Sequence, residues 1–286
     1  MSRPASVMLR HSGFTLVELM VSMTIGLILL AGVAQIFASN KQAYRYNESL
    51  SELQDNGNFA VQFITGQLAN AGRIPNPWLA VRSAGDPKIW TLVESQVYPA
   101  ANLPISGTEG GAGSDSLIMN IAYPNTIATP PTDCAGNAVP APGNFTLATN
   151  FGITNTVTIA TGASGRPSLF CNGVEIIEGV ENLQVVYGVD TDADRLVDRY
   201  FNINQVPAAN LRDIYTVRVA LMVATVKEAR SAQTGTTTKD LIGTSVTLPN
   251  DKRLRQIYTA TARLYNRCAN SFTNNRAALG AADGCM

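Results

Sequence analysis

Apolar and polar positions divide this chain into an unbroken apolar run, a helical stripe and a series of alternating segments. From Phe14 to Ala38 (FTLVELMVSMTIGLILLAGVAQIFA) a single charge, Glu18, falls among 25 residues. At the helical rise such a run reaches roughly 38 Å, enough to cross a hydrocarbon core of about 30 Å. It passes without a breaker into NKQAYRYNESLSELQDNGNFAVQFITGQLANAG. There Leu50, Leu53, Gly57, Ala60, Ile64, Leu68 and Ala71 keep the i, i+3, i+4, i+7 spacing of one buried helical face, and Glu48, Glu52, Asp55, Asn58 and Gln62 fall on the other side. Gly72, followed by Pro75 and Pro77, supplies the stop. A helix from Thr15 to Ala71 would be about 85 Å long, abnormal for a globular protein. Gly57 costs about 1 kcal/mol relative to Ala inside a helix. It either admits close approach of another element or is merely tolerated; the sequence leaves both open.

Beyond the helix the period changes to two. Strands are predicted at Ser116–Ala122, Thr156–Thr161, Glu181–Val189, Tyr215–Val226 and Gln256–Tyr265, with a short helix at Pro207–Asp213. In the fourth strand Tyr215, Val217, Val219, Leu221 and Val223 alternate with a face that is itself partly apolar, which places it inside a sheet. Loops rich in Gly and Pro fill 83–87, 107–114 and 123–144. The Gly-rich run at 107–114 is not followed by a helix carrying a phosphate-binding Lys, so it reads as a surface loop. The fold class is α+β: a long N-terminal helix, membrane-spanning in its first half, packed on an antiparallel β-sheet head with long loops.

The thirteen residues before the apolar run, MSRPASVMLRHSG, change the picture. They carry Arg3 and Arg10 and no acid, and end in Gly13 directly before Phe14. A secretory signal is cut after its apolar core, which is then discarded. A cut at this junction would instead leave the core on the mature chain. The stretch Ser12–Leu19 (SGFTLVEL) closely resembles the class III signal of type IV prepilins and pseudopilins. That resemblance implies cleavage after Gly13 by a membrane prepilin peptidase and methylation of the new N-terminal Phe14. Basic residues on the leader fit a cytoplasmic start. Glu18 within the apolar run costs on the order of 2.5–3.5 kcal/mol on insertion scales, and residues of this kind usually mark function; the competing reading is that it lies near enough to the helix end to reach the headgroups. The resemblance implies a salt bridge from Glu18 to the freed amine of Phe14 on a neighbouring subunit, which would set register during assembly. The chain then reads as a leader at 1–13, a transmembrane half-helix at 14–38, a periplasmic amphipathic half-helix at 39–73 and a β-rich head at 74–286, a type IV pilin-like plan.

Composition narrows the chemistry. Loss of the leader leaves 19 basic against 21 acidic residues, without the clustered basic excess that nucleic acid requires. The lone histidine, His11, lies in the leader. Its loss rules out Ser-His-Asp and Cys-His catalysis and any His-ligated zinc, and no other catalytic motif is found, so the chain is not expected to be an enzyme. The four cysteines Cys134, Cys171, Cys268 and Cys285 allow three pairings. An even count delivered to an oxidising periplasm favours disulfides over buried free thiols. Cys134–Cys171 and Cys268–Cys285 are preferred, because the second would tie down an Ala-, Asn- and Gly-rich tail, a loop closure worth roughly 3 kcal/mol.

One loop invites a metal. Asp190, Asp192, Asp194 and Asp198 fall at loop positions 1, 3, 5 and 9, and Leu196 offers a backbone carbonyl at 7. That spacing suits calcium, the one cofactor the chain could take. Arg195 stands where such loops carry Gly, and Phe201 where they carry Glu; the competing reading is a solvated acidic turn neutralised by Arg195 and Arg199.

Residues 176–201 (IIEGVENLQVVYGVDTDADRLVDRYF) and 253–267 (RLRQIYTATARLYNR) together resemble the PilW group of type IV minor pilins. The resemblance implies a subunit that helps initiate type IV pilus assembly with other minor pilins and the major pilin. It would sit in the inner membrane with a periplasmic head before assembly and at the pilus tip afterwards, where an adhesin-like protein can be carried. Two rivals share features: a J-type minor pseudopilin of type II secretion, and an adhesin or DNA-uptake pilin using Tyr98, Tyr123 and the 123–144 loop.

Overall fold

The computed structural model describes residues 15–72, 103–122, 132–138, 152–192, 194, 196–229 and 237–264. The chain divides into two compact units between Glu48 and Ser49. One α-helix, α1 (Leu16–Asn70), supplies residues to both.

In the first unit the described residues are helix alone. Every side chain from Thr15 to Glu48 is exposed, Leu30 and Phe37 included. Among the described residues this is the one helix long and apolar enough to cross a membrane.

The second unit is the head. Here α1 buries Ser49, Leu53, Gly57, Ala60, Ile64 and Leu68, the stripe expected from the spacing, with Leu50 half-buried at its margin. Gly72 takes φ +72°, and its amide donates to the Asn120 carbonyl at 2.9 Å, so the helix ends by handing its chain to the sheet.

Eleven strands among the described residues form two antiparallel sheets and a hairpin. The first sheet runs in chain order: β1 (Ile105–Thr108), β2 (Ser116–Ala122), β3 (Gly152–Thr161), β4 (Pro167–Cys171) and β5 (Val174–Glu178). The second has the order β11-β8-β6-β7, from β6 (Val180–Val189), β7 (Arg199–Phe201), β8 (Ile214–Ala224) and β11 (Arg255–Arg263). Gly179 joins the sheets at φ +92°, where a Cβ would stand 2.7 Å from the Ala224 carbonyl. The hairpin pairs β9 (Thr238–Leu241) with β10 (Thr244–Thr247).

A single core joins these layers. Leu53, Ala60, Ile64 and Leu68 of α1 pack with Leu117, Met119, Val157 and Leu169 of the first sheet and with Leu183, Val185, Val217, Val219 and Leu221 of the second. The opposite face of β8, through Ala220 and Met222, forms a smaller core with Leu241, Val246 and Leu248. This explains the two-faced apolar pattern of β8: the strand is interior to its sheet and covered on both sides.

The structure corrects the sequence in several places. β1, β4, β5, β7, β9 and β10 were not expected, and the single sheet becomes two. The helix expected at Pro207–Asp213 is a 3-10 turn, Ala208–Asn210, with a second at Ile203–Gln205. The ambiguity at Gly57 resolves toward close approach: a Cβ there would run into the ring of Tyr258 on β11, whose hydroxyl donates to the Leu53 carbonyl at 3.3 Å. The loop at 107–114 lies largely at the surface as expected, with its first two residues in β1, and is tethered to the sheet. Asn182 Nδ2 and Gln184 Nε2 donate to the Gly113 carbonyl at 3.1 and 2.6 Å, and the Asp115 carboxylate accepts from the amides of Gly110 and Val185, each at 2.8 Å. Burial pushes the Asp115 carboxyl up against the opposing effect of those two amides.

Candidate functional site

The start of α1 carries the first candidate. Gly13 and Phe14 lie outside the described residues; Thr15 and Glu18 are within them. The Thr15 amide donates to Glu18 Oε2 at 3.3 Å and its hydroxyl donates to the same oxygen at 3.2 Å, while the Glu18 amide donates to Thr15 Oγ1 at 3.2 Å. Thr-x-x-Glu with these reciprocal bonds is a capping box, in which two of the orphan amides of the helix start find side-chain acceptors. Glu18 also lies in the first turn, where the helix dipole favours negative charge. The carboxylate that is costly in a membrane is therefore already partnered within its own chain. The T-x-x-E spacing was readable in the sequence, which was read only for the charge.

The second candidate is the loop between β6 and β7. Asp190, Asp192 and Asp194 each bring a ligand-capable oxygen within 4.8 Å of the others, with Asp190 buried and the other two exposed. Their alternation has a local cause. The Asp192 amide donates to Asp190 Oδ1 at 3.1 Å, the Asp194 amide to Asp192 Oδ1 at 3.2 Å and the Leu196 amide to Asp194 Oδ1 at 2.7 Å. These are successive Asx turns, each carboxylate holding the backbone two residues on. Asp198 is not one of that trio; its Oδ2 accepts from the Thr191 amide and hydroxyl at 2.7 Å each, bonds that, with one from the Asp192 amide, hold its carboxyl below the usual carboxylate range. Asp192 receives the Asp194 amide, which lowers it, yet desolvation together with the charges of Asp194, Asp198 and Asp190 leaves it raised. Arg199 places its guanidinium over the Phe201 ring at 5.1 Å, and Arg195 lies outside the described residues. Three converging carboxylates could supply part of the six to eight oxygens calcium takes, and successive Asx turns fit the same spacing. What this loop does by visible geometry is close a hairpin.

The third feature is structural. Cys134 is bonded to Cys171, their Cα atoms 6.0 Å apart, so the segment 132–138 is fastened to the end of β4. Asp133 beside it accepts from the amides of Ala135 and Asn137 at 2.9 and 2.8 Å and from Asn172 Nδ2 at 3.1 Å. Desolvation opposes ionisation of Asp133, but those hydrogen bonds outweigh it and lower its carboxyl. Asn155 extends the attachment to the helix, its Oδ1 accepting from the Cys134 amide at 3.1 Å and its Nδ2 donating to Gln67 Oε1 at 2.9 Å. Cys268 and Cys285 lie outside the described residues.

Comparison with known proteins bears on both ends of the chain. Residues 154–266 match the family model described as type IV pilus-assembly protein W, and residues 8–34 match the prokaryotic N-terminal methylation motif. The pilin-like protein PilA3 of Thermus thermophilus is 42% identical over 60 residues, 21% of this chain; the chain spans 26% of that relative's length. A solved type IV-like pilin from Thermus thermophilus aligns over 58% of this chain and 84% of its own, at 12% identity and a TM-score of 0.31. The chain thus carries a domain that matches the type IV pilus-assembly protein W model behind a segment that matches the methylation motif.

Proposed function

We propose that this chain is a minor pilin that helps initiate type IV pilus assembly and occupies the tip complex of the filament. The observation that carries this reading is the union, on one chain, of a methylation motif at 8–34 with an assembly-protein-W domain at 154–266. The intervening helix supports it. Thr15–Glu48 exposes its apolar side chains throughout, so their burial must come from lipid before assembly and from other pilins after it.

In this proposal a prepilin peptidase cuts after Gly13 and Phe14 becomes the methylated terminus. Thr15 holds the Glu18 carboxylate while the subunit waits in the inner membrane with its head in the periplasm. The amine of a neighbouring pilin then draws Glu18 into a salt bridge, fixing axial register where the surroundings strengthen charge pairing. The head's role is structural and non-catalytic.

The test joins two measurements on the native protein. N-terminal sequencing of membrane-extracted chain is expected to begin at methylated Phe14; a chain cut after Ala38 overturns the proposal. Glu18→Ala is expected to insert and fold at wild-type level yet to lower surface pilin several-fold, and unchanged pili would remove Glu18 from assembly.

A further inference from the structure

Strand edges in the head are unequal. β7, β1 and β5, the other outer strands of the two large sheets, are three, four and five residues long. β11 is nine residues long and pairs on one side only, with β8, in unbroken register from Arg255↔Ala224 to Arg263↔Thr216. Its bonding phase follows from its ends. The Thr225 amide donates to the Leu254 carbonyl at 2.9 Å, and the Leu264 amide to the Tyr215 carbonyl at 2.8 Å. Antiparallel alternation then turns the backbone groups of Gln256, Tyr258, Ala260 and Ala262 toward β8, and those of Arg255, Ile257, Thr259, Thr261 and Arg263 outward. Among the described residues no strand takes up that outer row.

Proteins usually blunt such an edge with a bulge, a proline, an inward-pointing charge or a covering element. β11 has no bulge in its register and reads RQIYTATAR, without proline or glycine. Charge stands only at its two ends. Arg255 is committed inward, its Nη2 donating to Glu181 Oε1 at 2.9 Å and to Asp251 Oδ2 at 2.6 Å. Arg263 is exposed. Between them Thr259 and Thr261 are exposed, small and β-branched, suited to a flat approach.

The same charges decide the occupant. A second copy adding its β11 antiparallel, centred on Thr259, would set each Arg263 opposite an Arg255 whose own charge is already met by Glu181 and Asp251, leaving Arg263 without a carboxylate. A parallel copy would bring the two Arg263 side chains together. Like charges placed so are destabilising. We propose that the outer edge of β11 is a strand-addition site for an extended segment of a different protein subunit, which lays small or β-branched residues beside Ile257–Thr261 and a carboxylate beside Arg263. This rests on the assembly reading only for the partner's being a subunit; the test reads strand pairing rather than piliation, so either can fail without the other.

The probe is the photo-crosslinking residue benzoylphenylalanine, placed at Thr259 or at Thr261 of the full chain in the cells that make it, with exposed Val174 on β5 as the control position. Adducts from Thr259 and Thr261 are expected in one stretch of one other protein, displaced by two residues when the probe moves by two, as strand periodicity demands. Adducts scattered over several surfaces, confined to copies of this chain, or no richer than at Val174 would overturn the proposal. Thr259→Pro removes one outward amide and leaves the bonds to β8 in place, so the yield at Thr261 is expected to fall about tenfold with protease resistance of the head unchanged. Should that variant lose its resistance, Arg263→Glu is expected to lower the yield about fivefold in a folded head. An undiminished yield in the folded variant overturns the site.

Discussion

From Leu16 to Glu48, α1 exposes every side chain, whereas from Ser49 to Asn70 the same helix buries a stripe of small and aliphatic residues in the head core. The secondary structure is the same in both stretches; what differs is where the apolar surface finds its partner. The second stretch finds it in its own chain, at Leu117, Val157, Leu183 and Val219. The first has apolar residues around its whole circumference, as a membrane segment does, and exposes them all among the described residues. Two kinds of failure follow. Damage to the second stretch is damage to folding, and damage to the first is expected to leave the head folded.

The largest expected effect comes from breaking that contrast directly. Ile64 is fully buried and Leu29 is 65% exposed. Ile64→Ala should cost the head about 2–5 kcal/mol, from lost transfer energy and the cavity left behind. Leu29→Ala should leave head stability unchanged. Thermal melting of the full chain in detergent, followed by near-ultraviolet dichroism of the head, separates the two. Equal shifts would show that the halves do not differ in this way.

A smaller effect sharpens the contrast within the second stretch. Gly57→Ala gains about 1 kcal/mol of helix propensity but forces a methyl group against the Tyr258 ring, and overpacking of this kind costs about 1–3 kcal/mol. The expected outcome is a destabilised head, with Gly26→Ala as the comparison, because nothing lies within 4 Å of a Cβ there. A more stable Gly57→Ala variant would mean that the tyrosine yields and the glycine is only tolerated.

How much of this was legible in the sequence depends on how local the cause was. The buried stripe of α1 was readable because 3.6-residue periodicity is a property of the helix alone. β2 was read to its ends, Ser116 and Ala122, since a short apolar run between a Gly-rich segment and a Pro-rich one is self-contained. β4 and β5 were missed although Asn172-Gly173 joins them, with φ of 48° and 79°; Asn-Gly is a strong hairpin signal, but Phe170 and Cys171 before it do not alternate with polar residues. β9 and β10 were beyond local reading. Their strands, TKDL and TSVT, are polar, and their turn puts Ile242, a β-branched residue, at φ 46°. That hairpin is justified only by the second face of β8, where Leu241 and Val246 meet Ala220 and Met222. At the acidic loop the spacing was legible and its local cause was not: alternating Asp suits a calcium loop and successive Asx turns alike, and the amide bonds to Asp190, Asp192 and Asp194 appear only once the backbone is folded.

The smallest effect belongs to the first residues of the exposed stretch, where a helix without tertiary partners must secure its own end. Thr15 and Glu18 do this with three reciprocal bonds of 3.2–3.3 Å. Replacing an N-cap threonine by alanine costs about 1 kcal/mol, which corresponds to roughly a fivefold change in the opening equilibrium of the first turn. In full chain held in detergent, Thr15→Ala should therefore speed amide exchange at Glu18 about fivefold, with exchange at Ala60 and Ile64 unaffected. Thr15→Ser keeps the oxygen and should restore protection. If Thr15→Ala exchanged like the wild type, the first turn would be secured by the surrounding detergent rather than by its own side chains, and Glu18 would be free to meet another subunit without first leaving a cap.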